Sequence, residues 1–165
     1  MIIYSLKGGV ILKIKGMKPT FIPTVPERLI HKLEFRTTTD LYENDAKLYS
    51  YVLTRFDEKL KKDNINLDLI PKTFAIFTDN GELEISLNDS ILGVNANIII
   101  YATKRFNKFN LSEVFKVSVF LEELCHWAWN IEDETRVKYK IFEILEDIYP
   151  EIKFEQVYNL KSLQL

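Results

Sequence analysis

NLSEVFKVSVFLEELCHWAWN, residues 110–130, is the stretch on which the reading of this chain turns. Asn110 and Glu113 stand at capping-box spacing, and Phe109 lies where a hydrophobic staple would meet Val114, so a helix is expected from Leu111. Val114, Val117, Leu121, Leu124 and Ala128 recur at helical steps and mark its buried face. Beside that face Glu122 and His126 fall one turn apart on the same side, whereas Glu123 points about 60 to 100° away from them. Two potential metal ligands therefore share one face of a helix.

Downstream, a break at Asn130 to Asp133 leads into a second helix with Val137, Ile141, Ile144 and Ile148 on one side, ended by Pro150. The tail, Lys153 to Leu165, is read as a strand or as a packed segment. Upstream, Asn97 to Thr103 carries Ile98-Ile99-Ile100 and reads as a strand buried on both faces. Thr73 to Thr78 and Glu82 to Leu87 read as two strands joined by Asn80-Gly81, a pair that suits a hairpin turn. Asp40 and Glu43 are expected to cap a helix over about 41–62, with Ala46, Tyr49, Leu53, Phe56 and Leu60 on its core face. Residues 1–15 read as a hairpin around Gly8-Gly9, and the alternation of Leu29, His31, Leu33 and Phe35 as a half-buried strand. The order makes an α+β chain: a small, mostly antiparallel sheet packed with three helices, read as a single domain over 1–165 with its N-terminal strands in 1–37.

Composition narrows the function classes. Lys+Arg 22 against Asp+Glu 24 gives a net charge of -2, which disfavours a generic binder of nucleic-acid phosphates or of anionic membranes. A lone cysteine, Cys125, rules out a disulfide framework and fits a reducing, cytoplasmic setting. The apolar start is broken by Lys7 and Gly8-Gly9 and does not read as a targeting signal, and no stretch is long enough to span a bilayer.

Glu122-Glu123-Leu124-Cys125-His126 resembles the H-E-x-x-H helix of zinc peptidases, with Glu122 in place of the first histidine. Together with the element order over residues 40–150, it makes the chain look like a degenerate, minimal zincin domain, whose active-site helix and following helix form a pair at the C-terminal side. The resemblance implies Glu122 and His126 as first and second ligands of a zinc ion and Glu123 as general base. It also implies a third ligand from Glu132-Asp133-Glu134; Glu134 is favoured because it lies inside the second helix, with Asp133 placed to cap that helix. One histidine and two carboxylates neutralise a divalent ion, which lowers its power to acidify water and also admits manganese or iron. The motif argues better for a metal site than for a working peptidase.

Competing chemistries are weaker. A di-iron bundle needs two Glu-x-x-His motifs and two more helical glutamates, and this chain has one such motif. Cys125 and His126, adjacent on a helix, diverge by about 100° and cannot form a nucleophile–base pair, so Cys125 is assigned to the core. His31 is assigned to its strand. Trp127 and Trp129 are read as packing residues, with Trp127, which points away from the core stripe, as the alternative candidate for an exposed anchor to a partner. Lys59 to Lys62 and Lys104 to Lys108 read as solvated helix and loop ends, the second with Arg105, Phe106 and Phe109 interleaved.

Two functions follow as expectations. The first is a zinc-binding, non-catalytic zincin-like protein that acts by binding another protein. Accessory proteins of phages and mobile elements have this general character, and inhibitors of host defence, such as anti-CRISPR proteins that bind an RNA-guided nuclease, are a concrete class. The second is an active intracellular zinc metallopeptidase with Glu123 as base and an edge strand, Glu82 to Leu87 or Asn97 to Thr103, pairing with an extended substrate.

Overall fold

The computed structural model of the chain describes residues 2–6 and 10–158. Strands β1 (Ile2–Leu6) and β2 (Val10–Ile14) pair antiparallel, from Ile2 opposite Ile14 to Leu6 opposite Val10. Gly8-Gly9, the expected turn of this hairpin, lies outside the described residues. β3 (Leu33–Thr37) buries Leu33, Phe35 and Thr37 and leaves Glu34 and Arg36 half-buried, so its alternation is that of a strand packed on one face. It starts later than expected: Glu27–Leu29 forms a 3-10 turn, and His31 lies in the turn that follows.

Helix α1 (Glu43–Lys62) carries acidic Glu43 and Asp45 in its first turn and Lys59, Lys61 and Lys62 in its last, as its dipole favours. The capping box expected from Asp40 and Glu43 is not formed. Tyr42 is the N-cap, and Asp40 pairs with Lys18 at 3.0 Å. β4 (Thr73–Thr78), β5 (Ile85–Leu87) and β6 (Asn97–Ala102) follow, then a short helix α2 (Thr103–Lys108) over residues read from sequence as a loop. α3 (Glu113–Trp129) and α4 (Glu134–Ile148) form the C-terminal helix pair, and α5 (Phe154–Val157) ends the described chain. α3 opens at Glu113, with the Ser112 hydroxyl accepting from the Phe115 N–H at 3.4 Å; Asn110, at φ 49°, turns the chain between α2 and α3 instead of capping.

The α+β class is present, with strand directions that differ from the expected mostly antiparallel sheet. One three-stranded sheet, β1-β2-β5, is antiparallel; the other, β3-β4-β6, is parallel throughout. The Asn80-Gly81 hairpin is absent because both edges of β4 are already taken, by β3 and β6, and β5 pairs with β2 instead. Gly81 nonetheless turns the chain at a left-handed φ of 84°, and its N–H donates to the Thr78 hydroxyl at 2.7 Å. β4, buried at every position, is the central strand; β6, expected to be buried on both faces, is an edge strand that leaves Ile100 42% exposed.

Residues of β4 divide between two layers. Ala75 and Phe77 face the helices, where Phe35, Tyr49, Phe77, Tyr101 and Phe120 stack with neighbouring centroids 4.4 to 5.8 Å apart. Phe74 and Ile76 face Leu12 and Ile14 of the antiparallel sheet. Each such side chain contributes about 1.5–3 kcal/mol of transfer free energy when fully buried. The aromatic stack fixes α1 and α3 on one face of the parallel sheet, which sets where the polar side of α3 emerges.

Candidate metal centre

Ser118, Glu122 and His126 follow one another at four-residue steps along α3 and form a polar stripe at the edge of its buried face. Asn130, at φ 51°, ends the helix in the left-handed conformation that asparagine tolerates, and the chain turns sharply toward α4. Asp133 caps α4 by accepting from the Arg136 N–H at 2.7 Å, as read from the sequence. Glu134, freed from that duty, reaches back across the corner until its Oε1 lies 3.8 Å from His126 Nε2. Glu122, His126 and Glu134 each offer a ligand atom, and these atoms lie within 4.8 Å of one another. Glu132 and Asp133, the other candidates for third ligand, are exposed and outside this group.

The histidine is oriented from behind. His126 Nδ1 sits 2.5 Å from the carbonyl oxygen of Ile131, which can only accept, so Nδ1 carries the proton and Nε2 of the neutral ring presents a lone pair to the two carboxylates. Burial, then the charges of Glu123 and Glu134, hold the Glu122 carboxyl above the ordinary carboxylate range. Among the described residues no lysine or arginine forms an ion pair with Glu122 or Glu134.

This donor set fits a divalent cation. Two carboxylates balance its charge, and imidazole nitrogen with carboxylate oxygen is an accepted zinc set at about 2.0–2.2 Å per bond. Ligand atoms of a tetrahedral centre stand about 3.4 Å apart, so closure asks for roughly 1 Å of side-chain movement. Glu134, with 68% of its side chain exposed, is free to supply it. Manganese and iron suit the same oxygen-rich group.

Glu123 is exposed and faces a different space from the cluster's carboxylates. It lines, with His126, an open cleft of about 850 Å³ whose other walls include Ile65, Pro71, Asn97 and Ile99. His126 thus touches both the cluster and the cleft. Trp127, the candidate for an exposed anchor, is buried instead, and its indole N–H donates to the Pro71 carbonyl at 2.8 Å. The segment before β4 covers that side of α3, which face arithmetic on the helix alone cannot register. Trp129 packs edge-on against Phe56, donates to Asp63 at 3.0 Å, and lies under Lys140.

Cys125 is fully buried, and burial pushes its thiol up, so it is core and inert. Lys104 pairs with Asp79 at 2.8 Å, and Arg105 donates to the Asn80 carbonyl at 2.9 Å, so this basic stretch is partly spent on the β4 turn. A second polar cavity, about 270 Å³ at the carboxyl ends of the parallel strands, is lined by Lys18, Asp40, Asp79 and Lys104, whose charges pair with each other. The feature that sequence reading missed is the Ile131 carbonyl, a backbone atom with no sequence signature. No family model matches the chain, and comparison with curated proteins and with solved structures gives no match either.

Proposed function

We propose that the chain is a metal-binding protein whose Glu122–His126–Glu134 centre takes one divalent cation, zinc first, and ties the end of α3 to the start of α4. The observation that carries this reading is the His126 ring, locked through Nδ1 with its Nε2 lone pair facing two carboxylates that form no ion pair with a lysine or arginine among the described residues. The charge-balanced ligand set favours a structural role, in which the metal holds a corner of the surface rigid and the protein acts by binding another protein. Elemental analysis of protein purified without added metal or a histidine tag tests it. Near-stoichiometric metal in the wild type, absent from Glu122→Ala and His126→Ala, is the expected result; no metal, and none taken up from added zinc, ends the proposal.

A second reading, an active metallopeptidase, is favoured by one observation: Glu123 and His126 line the same cleft, beside the edge strand β6. A bound zinc ion supplies Lewis-acid polarisation and a more acidic water. Glu123 would act as the proton acceptor, and the cleft wall would hold an extended chain. Glu123→Gln separates the two. A peptidase loses turnover and keeps metal and fold; a structural centre keeps metal, fold and partner binding.

A further inference from the structure

The polar stripe of α3 continues one turn beyond Glu122 to Ser118, and the chain's last described segment closes over that end. Phe154 of α5 stacks on Tyr139 of α4 at 4.8 Å and meets Phe142 edge-on at 5.3 Å, and Tyr158 lies against Phe154 at 5.2 Å. The ring of Tyr158 is thereby set between the two helices that carry the metal ligands. On the α4 side the ammonium group of Lys138, one turn after Glu134, stands 6.0 Å from its centroid. On the α3 side its hydroxyl is buried close enough to Ser118 for that side chain to ease the phenol down, yet no hydrogen bond of good geometry joins it to a described residue. Ser118 has already committed its own proton to the Phe115 carbonyl, at 3.0 Å.

A buried hydroxyl without an acceptor is costly, and such groups ordinarily find a partner. Glu122 is the complementary case: a half-buried carboxylate on the same stripe that accepts no hydrogen bond among the described residues. Metal-bound carboxylates are in general held by a further hydrogen bond, which orients the ligand and strengthens binding. Resting on the metal reading above, we propose that Tyr158 is a positioning residue of the centre, its hydroxyl donating to the Glu122 carboxylate when the cation is bound. A phenol keeps its proton at neutral pH and can donate it. Because Tyr158 is held by α5, metal binding would also fasten the C-terminal segment against α3 and α4.

The test is Tyr158→Phe, which removes one oxygen and keeps the ring packing. Zinc affinity is measured by competition with a chromogenic chelator, and thermal unfolding is followed with the metal removed by chelation. Tyr158→Phe is expected to weaken zinc binding about 10-fold or more, within the range for outer-sphere partners. Its metal-free melting temperature is expected to equal or exceed that of the wild type, since the variant sheds an unpartnered hydroxyl. Wild-type zinc affinity in Tyr158→Phe overturns the proposal and leaves the metal centre standing. Weaker binding accompanied by a destabilised metal-free protein also overturns it, as that pattern belongs to packing. Wild-type protein that binds no zinc fails at the earlier step and removes the centre itself.

Discussion

His126 Nδ1 lies 2.5 Å from the carbonyl oxygen of Ile131, five residues on and past the end of α3, so the ring is fixed by the same corner that delivers Glu134. The neutral ring is therefore expected as the Nδ1–H tautomer. Long-range proton–nitrogen NMR of the neutral ring should show Nδ1 protonated, and added zinc should move the Nε2 signal. An Nε2–H tautomer in the metal-free protein would contradict the orientation assigned here.

Glu122→Gln removes a carboxylate that sits half-buried beside two others. In the metal-free protein the variant is expected to be as stable as the wild type or more so, because like-charge repulsion and burial of a charge both fall away. The stabilisation that zinc gives the wild type should vanish. A thermal shift assay with and without zinc reads both at once, and a zinc shift retained in Glu122→Gln counts against the ligand assignment.

The acid limb of stability should depend on a different group. Burial alone would raise the Asp63 carboxyl, but Lys140 and Lys59, at 2.8 and 2.9 Å, hold it below the ordinary range, and Trp129 adds a hydrogen bond. With the folded value depressed, its contribution is complete above the unfolded carboxylate value and is lost as the pH falls through the folded one. Asp63→Asn should cost about 2 to 4 kcal/mol at neutral pH by leaving Lys59, itself buried, without one of its two carboxylate partners. Denaturant titrations at neutral and acid pH check this: the gap between variant and wild type should narrow on acidification.

Phe77→Ala should be the most damaging single truncation. Phe77 is fully buried and stacks with Phe35, Tyr49, Tyr101 and Phe120, so it joins the parallel sheet to both α1 and α3. A loss of about 3–5 kcal/mol is expected by denaturant unfolding. Phe109→Ala, at a side chain 66% exposed, should stay within about 0.5 kcal/mol of the wild type.

Local periodicity made the helices legible, along with the two features of the centre that depend on it. Glu122 and His126 share a face because four residues make about one turn, and Glu134 falls inside α4 because Asp133 takes the cap. What escaped the sequence was set by competition between distant segments. The Asn80-Gly81 turn favours a hairpin, but a hairpin needs a free strand edge, and β3 and β6 occupy both edges of β4. Trp127 reads as exposed until the segment at Pro71 is known to lie over it, and Asp40 reads as a cap until Lys18, brought near from far upstream, claims it. Tyr158 belongs to a four-residue helix and its flank, too short for any periodic signal.

The pairing of β2 with β5 joins residues 12–14 to 85–87, with β3, α1 and β4 lying between them in the chain. Closing that span carries a loop entropy that is repaid only once the intervening β3–α1–β4 unit has become compact. β1 and β2, by contrast, need only each other and can pair early. On that side Phe74 and Ile76 of the central strand are covered by Leu12 and Ile14 of β2, whose outer edge β5 closes. The cover on the far face of the parallel sheet is thus fastened by a pairing between segments distant in the chain, whereas its first hairpin is purely local.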